Sequence, residues 1–374
     1  MTIAEIDATP GIENDKLQIK HFDYIELYVG NPLQAAHFYR TAMGFAPVAY
    51  AGLETGVRDR ISYVLAQGEV RLVLTGGLNA ESPIVQHVAR HGDSVKDIAF
   101  AVENVWEVFQ NAIDAGARPL QPPTVYEDAN GRVIKATIAA YNETVHTFVQ
   151  RDTYAGPFLP GYRAIENARP AKPTGLIDID HVAIGMEHGK LDYWVEFYKR
   201  VLSFHELHEE MIATERSSMN SKVVEDTSRR IKFPIVEATQ PNGKSQINEY
   251  LDYHNGAGAQ HIAFLCNDII DTVRTLSANG IEFLATVPSS YYDMLEDRVG
   301  QIDPAILAGL REQRILVDRD DWGTLMQIFS RPIQGRPTLF LEIVQRNGAR
   351  GFGAGNIKAL FEAVEREQAR RGNA

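Results

Sequence analysis

A single cysteine, Cys266, stands in 374 residues, so no disulfide can form within the chain and a reducing compartment suits it. Basic residues are also scarce: 37 Lys and Arg face 49 Asp and Glu, a formal net charge of −12. That balance argues against nucleic acid or an anionic membrane as the main partner, since both are held by basic patches. No uninterrupted apolar run approaches the roughly 20 residues that span a bilayer. The opening stretch Met1-Thr-Ile-Ala-Glu-Ile-Asp-Ala-Thr-Pro10 lacks the basic start and apolar core of a secretory leader, so a cytoplasmic location is expected. What is present is ordinary for a globular enzyme. Hydrophobic residues make up 44% and charged residues 23%, in a chain comfortable for two domains.

The chain repeats itself. His21-Phe-Asp-Tyr-Ile-Glu-Leu-Tyr-Val29 alternates like a strand and leads into Pro32-Leu-Gln-Ala-Ala-His-Phe-Tyr-Arg40, which has helical spacing. Asp180-His-Val-Ala-Ile184 followed by Leu191-Asp-Tyr-Trp-Val-Glu-Phe-Tyr-Lys199 opens the second half the same way. Lys96-Asp-Ile-Ala-Phe100 parallels Gln260-His-Ile-Ala-Phe264, and Thr147-Phe-Val-Gln-Arg151 parallels Glu342-Ile-Val-Gln-Arg346. Helices over Val105–Ile113 and Ile269–Leu276 should each end at a left-handed glycine, Gly116 and Gly280. Agreement in order at three separated points predicts an internal duplication. The expected organisation is a polar tail (1–18), a first domain (19–165), a proline-rich linker (166–176) and a second domain (177–374). The second domain carries an insertion over about 289–322 and a closing amphipathic helix over 357–368, preceded by glycines, that can act as a lid. Each half is read as β-α-β-β-β units forming a curved, mostly antiparallel sheet with helices outside, an α+β fold.

The repeat also sets the two halves against each other. Tyr24 falls opposite His181, Asp97 opposite His261, and Thr147 opposite Glu342. The second half therefore holds two imidazoles and a carboxylate where the first holds a phenol, a lone carboxylate and a hydroxyl. Neutral imidazoles with a carboxylate are donors that non-haem iron and similar divalent ions accept, in a set that leaves positions open for substrate and dioxygen. Other motifs carry less. His205-Glu-Leu-His-Glu209 lacks the i, i+4 histidine pair of a metallohydrolase helix and reads as a surface run. Gly351-Phe-Gly-Ala-Gly355 neither follows a Rossmann strand nor precedes Lys-Ser/Thr, so phosphate binding is not expected. Cys266, five residues beyond His261, is read as an ordinary buried thiol.

Several stretches resemble the 4-hydroxyphenylpyruvate dioxygenase family of the vicinal oxygen chelate superfamily. They are Asn255-Gly-Ala-Gly-Ala-Gln-His-Ile-Ala263, Ser290-Tyr-Tyr292, Ile315-Leu-Val-Asp-Arg-Asp320, Leu325-Met-Gln-Ile-Phe329, Arg336-Pro-Thr338 and Gly351-Phe-Gly-Ala-Gly-Asn356. The resemblance covers nearly the whole chain. It implies two open-barrel domains of tandem βαβββ modules, with Fe(II) held in the second by His181, His261 and Glu342. It implies an arylpyruvate substrate that chelates the iron through its own 2-oxo acid, dioxygen as co-substrate, homogentisate as product in tyrosine and phenylalanine catabolism, and a homo-oligomer. The iron centre itself supplies the chemistry, and no separate acid or base is assigned. Phe329, Phe340 and Phe352 match the family's pocket aromatics. Ser217, Gln246, Gln260 and Gln327 match its polar pocket positions, with Asn356 counted among the substrate contacts.

Two positions depart from the family and bear on specificity. Val236 stands where the family usually has Asn, and Ile357 where it usually has Phe. At both points the chain resembles hydroxymandelate synthase, a relative that takes the same substrate and iron but hydroxylates the benzylic carbon. Pro234 and the segment Arg331-Pro-Ile-Gln-Gly-Arg-Pro337 resemble the dioxygenase, so homogentisate formation is the expected reaction. Benzylic hydroxylation is the alternative, and a non-catalytic binding module the second alternative.

Overall fold

A computed structural model describes residues 19–151, 153–166, 171–214, 217–240, 245–285 and 287–372; the expected polar tail lies outside them. The first half runs β1 (Ile19–Tyr28), α1 (Pro32–Thr41), β2 (Ala46–Ala51), β3 (Arg60–Gln67), β4 (Val70–Gly77), α2 (Pro83–His91), β5 (Ser94–Val102), α3 (Val105–Asp114), β6 (Pro119–Asp128), β7 (Gly131–Ala139), β8 (Val145–Gln150) and the two-residue β9 (Arg163–Ala164). The second runs β10 (Leu176–Met186), α4 (Leu191–Leu202), β11 (His205–Ala213), β12 (Ser218–Glu225), β13 (Lys232–Ala238), α5 (Gln246–His254), β14 (Gly258–Cys266) and α6 (Ile269–Ala278). It continues with α7 (Ser290–Asp293), α8 (Leu295–Val299), α9 (Pro304–Gln313), β15 (Leu316–Arg319), β16 (Thr324–Phe329), β17 (Phe340–Asn347) and α10 (Ala354–Arg370). No helix among the described residues is long and apolar enough to cross a membrane.

Each half builds one curled sheet, and the two sheets have the same strand order. The first is β6-β7-β8-β5-β1-β4-β3-β2-β9 and the second, read from its other end, is β15-β16-β17-β14-β10-β13-β12-β11. Within both, the first strand pairs parallel with the fourth and antiparallel with the fifth, and the fifth pairs parallel with the last of its barrel. The register fixes the equivalences residue by residue. Tyr24 lies across from Ala99 and Thr147 across from Ala99, just as His181 and Glu342 lie across from Ala263. The duplication is therefore a structural one.

Local sequence explains the repeated helices. Asn104 caps α3 and Asp268 caps α6, each side-chain oxygen accepting backbone N–H bonds of the first turn. Such a cap is worth about 1 kcal/mol. In both halves a glutamine of the matching Val-Gln-Arg run accepts the first N–H of that helix, Gln150 from Val105 and Gln345 from Ile269. Gly116 and Gly280 follow the helix ends with φ of 92° and 97°, a region costly for any residue with a Cβ. Five apolar rings tie the halves together: Phe233 packs edge-on against Phe22 (5.9 Å) and Phe100 (6.2 Å), and Phe45 against Phe264 (5.9 Å).

The insertion is shorter than the sequence suggests. It consists of α7, α8 and α9. Leu316–Arg319 is strand β15, the counterpart of β6, because its residues pair antiparallel with β16 from Leu325 to Gln327.

Where the second half has its three donors, the first half has a hydrogen-bonded group centred on Asp97 Oδ2, while Asp97 Oδ1 is buried without a partner. Asp97 Oδ2 accepts from Tyr24 Oη (3.0 Å) and from Thr147 Oγ1 (2.6 Å), all three side chains buried. Burial pushes the Asp97 carboxyl up to about 6. Between the ordinary value near 4 and that value the folded chain keeps a proton that the unfolded chain releases. Stability contributed there is present at low pH and is lost as pH rises from about 4 to about 6. Asp97→Asn keeps the two accepted bonds without a charge. It should flatten the stability profile over that interval and raise stability at pH 7 by on the order of 2 kcal/mol. Urea denaturation at pH 4, 5, 6 and 7 reads this; an unchanged slope in the variant refutes it.

Candidate metal centre

His181 on β10, His261 on β14 and Glu342 on β17 come from three adjacent strands at the middle of the second sheet. Ala263 sits between His181 and Glu342 in register, and Ala183 lies across from His261. Two methyl groups leave the space that larger side chains would fill. His181 Nε2 lies 3.1 Å from Glu342 Oε2, His261 Nε2 lies 3.2 Å from the same oxygen, and the two Nε2 atoms are 3.3 Å apart. Three donors bonded at ~2.1 Å to one cation at angles between octahedral and tetrahedral stand roughly 3.0–3.4 Å from one another. The spacing fits a shared divalent ion.

The surroundings turn each donor's lone pair toward that point. Asp180 Oδ2 accepts from His181 Nδ1 (2.8 Å), which leaves Nε2 bare. Burial alone would raise the Asp180 carboxyl, but Arg346 beside it, with Lys232, holds it well below the usual range, so it only accepts. Gln260 Oε1 is 3.3 Å from His261 Nδ1 and orients the second ring. Gln327 Nε2 donates to Glu342 Oε1 (2.7 Å) and Asn356 Nδ2 donates to Gln327 Oε1 (2.8 Å), a relay that leaves Glu342 Oε2 aimed inward. Burial would raise Glu342 too, yet the two imidazoles hold it down at about 2. Burial lowers His261, whereas Glu342 and Asp180 overcome burial and raise His181.

Neither Asp180 nor Arg346 was singled out by sequence reasoning, though the signal was there in the matching Val-Gln-Arg runs. Arg346 binds Asp180 through two bonds, Nε to Oδ1 (2.6 Å) and Nη2 to Oδ2 (2.8 Å). It donates Nη1 to the Gly351 carbonyl (2.6 Å) and lies 5.2 Å over the Phe352 ring. The first half does the same with Arg151 on Asp23 (2.8 and 2.5 Å), its Nη1 on the Phe158 carbonyl and its guanidinium 5.3 Å over Phe158. Phe352 then meets His181 edge-on at 5.0 Å, as Phe158 meets Tyr24 at 5.4 Å. The Arg–Asp lock belongs to the repeated scaffold; in the second half it also orients a candidate ligand.

The donors open into a cavity of about 500 Å³, its mouth included. Phe329, Phe352, Val236, Ile357 and Leu360 form most of its wall, with Gln246, Gln260, Gln327 and Ser221 as polar points. Phe340 backs the site, stacked on the His261 ring at 4.8 Å, and does not line the cavity. Asn356 stands behind Gln327. Ser217 is placed elsewhere: it follows the β11–β12 turn, and its hydroxyl donates to Glu365 of α10 (2.5 Å). Ser221, four residues further along in β12, lines the cavity instead. Helix α10 covers the cavity with Ile357 and Leu360 and is tied down by Thr214 and Ser217 on Glu365 and by Arg371 on Glu249.

Two aspartates engage amides of the glycine segment at the start of α10. Asp320 Oδ2 accepts from Arg350 N and Gly351 N (2.7 Å each), and Asp318 Oδ2 from Gly355 N (3.1 Å). These bonds hold the loop that carries Phe352, and the two carboxylates beside it disfavour a bound phosphate. Cys266 donates to the Val344 carbonyl at the far end of β14, and burial pushes its thiol up to about 12, so it is inert packing. His205 pairs with Glu225 on β12 (3.0 Å) and makes no metal motif.

Comparison with known proteins agrees with this arrangement. Residues 13–154 match the N-terminal profile of hydroxyphenylpyruvate dioxygenase, and residues 178–326 that of the Glyoxalase/Bleomycin resistance protein/Dioxygenase superfamily. The chain is 40% identical to 4-hydroxyphenylpyruvate dioxygenase of Yarrowia lipolytica, over all of this chain and 98% of that one. It is 43% identical to the protein of that name from Dictyostelium discoideum, over 94% and 99%. A mutant 4-hydroxymandelate synthase from Streptomyces coelicolor superimposes with a TM-score of 0.86 at 38% identity, covering 94% of this chain and 100% of that one.

Proposed function

The chain belongs to the 4-hydroxyphenylpyruvate dioxygenase family, and from that premise we propose that it converts 4-hydroxyphenylpyruvate and dioxygen to homogentisate and carbon dioxide at an Fe(II) ion held by His181, His261 and Glu342. The observation that carries the reading is the convergence of three bare donors at 3.1–3.3 Å on a mostly apolar, half-enclosed cavity. Iron bound there supplies the reduction of dioxygen and the oxidising equivalents. The protein's share is to bind, orient and exclude water. Phe329 and Phe352 offer flat apolar walls to an aromatic ring, and Ile357 and Leu360 close the mouth against solvent. Gln246 and Gln260 are placed to meet the substrate's polar ends, and the Asn356–Gln327 relay keeps the Glu342 carboxylate fixed while the rest of the coordination sphere stays available.

Anaerobic loading with Fe(II), followed by 4-hydroxyphenylpyruvate and oxygen, tests the reading. Homogentisate and 4-hydroxymandelate have the same mass, so the product is separated chromatographically against both standards. Homogentisate as the main product supports the proposal, and no oxygen-dependent turnover refutes it.

Benzylic hydroxylation is favoured by one specific observation. Val236 and Ile357, the two positions that depart from the family, both line the cavity, and Val236 is 6% exposed. An apolar pair there withdraws a hydrogen-bond partner from the substrate, which is worth about 1–3 kcal/mol if the partner is left unpaired. Val236→Asn should therefore tighten KM for 4-hydroxyphenylpyruvate by roughly tenfold or shift the ratio of the two products toward homogentisate. Identical KM and product ratio would show the position to be silent.

A further inference from the structure

A second group of donors lies in the first half, far in sequence from the centre described above. His87 and His91 are one turn apart on the same face of α2, 3% and 1% exposed, and Glu143 stands in the turn between β7 and β8. One donor atom from each of the three falls within 4.8 Å of the others. We propose that His87, His91 and Glu143 form a site for a second divalent transition cation, of the zinc type, at the seam between the two halves.

The strongest observation is His91. Its Nδ1 lies 2.6 Å from the His254 carbonyl, which can only accept, so the ring proton sits on Nδ1. Nε2 is left with a bare lone pair. It is fully buried, has no hydrogen-bond partner, and stands 3.4 Å from Glu143 Oε2, a second acceptor. A buried imidazole lone pair with no donor, facing a carboxylate oxygen, is unfavourable unless a cation joins the two.

A divalent cation at this point would engage two imidazoles and a carboxylate together. The basic side chains nearby are occupied: Arg90 pairs with Glu143 Oε1, Lys96 with the Glu143 carbonyl, and Arg336 with the carbonyls of Ala89, Arg90 and Tyr253. Glu143 Oε2 is left facing the two imidazoles, 2.8 Å from His87 Nδ1 and 3.4 Å from His91 Nε2.

His87 completes the pattern. Its Nδ1 is 2.8 Å from Glu143 Oε2, and its Nε2 is 3.0 Å from Ser94 Oγ. With an ion present, Nε2–H donates to Ser94 and Nδ1 turns its lone pair to the metal. Each candidate imidazole then has its far nitrogen backed by an oxygen, the arrangement that orients metal-bound histidines. Two imidazoles and one carboxylate are a zinc-type donor set, and the side of Glu143, 31% exposed, leaves room for water as the fourth ligand. The His254 carbonyl ends α5, whose first residue, Gln246, lines the cavity of the second half. An ion here would pin α2 to α5.

The test is Co(II) titration of the untagged full-length protein, read by visible absorption and by metal content after dialysis. The wild type should take up two equivalents and His181→Ala one. His91→Gln should keep one, with native far-UV circular dichroism. Glu143→Gln removes the carboxylate without disturbing the buried face of α2 and should also keep one. One equivalent in the wild type and none in His181→Ala overturns the proposal, as do two equivalents retained in both His91→Gln and Glu143→Gln. Two equivalents retained in His181→Ala would count against the catalytic centre instead, while the loss in Glu143→Gln would still decide the second site.

Discussion

His181→Ala is expected to lose oxygen-dependent turnover of 4-hydroxyphenylpyruvate by ~10³-fold or more, about 4 kcal/mol of transition-state stabilisation. Three properties make this side chain hard to replace. It supplies one of three candidate donors, so its loss would leave only His261 and Glu342, 3.2 Å apart, to hold an ion. Its lone pair is aimed by a charged partner, Asp180, which nothing else in the cavity reproduces. Finally its ring meets Phe352 edge-on, so truncation also loosens a cavity wall. The fold should survive, because the Asp180–Arg346 pair and the β10–β14 ladder do not pass through the imidazole. Iron content and turnover measured together, with circular dichroism as control, check the prediction. Full iron occupancy with wild-type turnover would remove His181 from the ligand set.

The second large effect is on stability. Arg346→Met leaves the Asp180 carboxylate, 4% exposed, without its two guanidinium bonds and with only His181 Nδ1 and the nearby Lys232 to offset its charge. Breaking a buried pair from one side costs about 3–5 kcal/mol. The loss should appear as a lower urea midpoint at an unchanged slope. Removing the charge as well, in Asp180→Asn combined with Arg346→Met, should recover part of it, since the stranded carboxylate and not the missing attraction is the main penalty. Metal affinity should fall by a further ~10–100-fold through the misaimed His181. Arg151→Met offers the companion measurement in the first half, where Asp23 keeps Arg71 at 3.6 Å as a second cation and no candidate ligand depends on it, so the loss there should be smaller. A loss under 1 kcal/mol in Arg346→Met would show that the lock is decorative.

Much of this was legible in the chain. The duplication could be read because short strands kept their alternation and the paired Val-Gln-Arg runs kept their place, and the sheet register then gave the same equivalences for Tyr24, Asp97 and Thr147. The three candidate ligands could be read because chemistry differs between otherwise matching positions. The groups around them could not. Asp180 and Arg346 are bonded across strands 166 residues apart, and charge alone does not say which carboxylate an arginine will find. Ser217 matched a pattern of residue types, whereas its direction is set by a turn and by the approach of Glu365 from α10. Strand β15 was absorbed into the insertion because four residues are too few to show a period, and its identity comes from its partner β16.

The hydrogen-bonded Tyr24, Asp97 and Thr147 have a bearing on how such centres arise. Both barrels present three inward positions on the same backbone, braced by the same guanidinium, yet only one of them is furnished to hold a cation. The geometry of the seat therefore does not depend on its tenant. The molecule carries its own blank, folded alongside the working copy, against which the preference of the scaffold and the preference of the ion can be told apart.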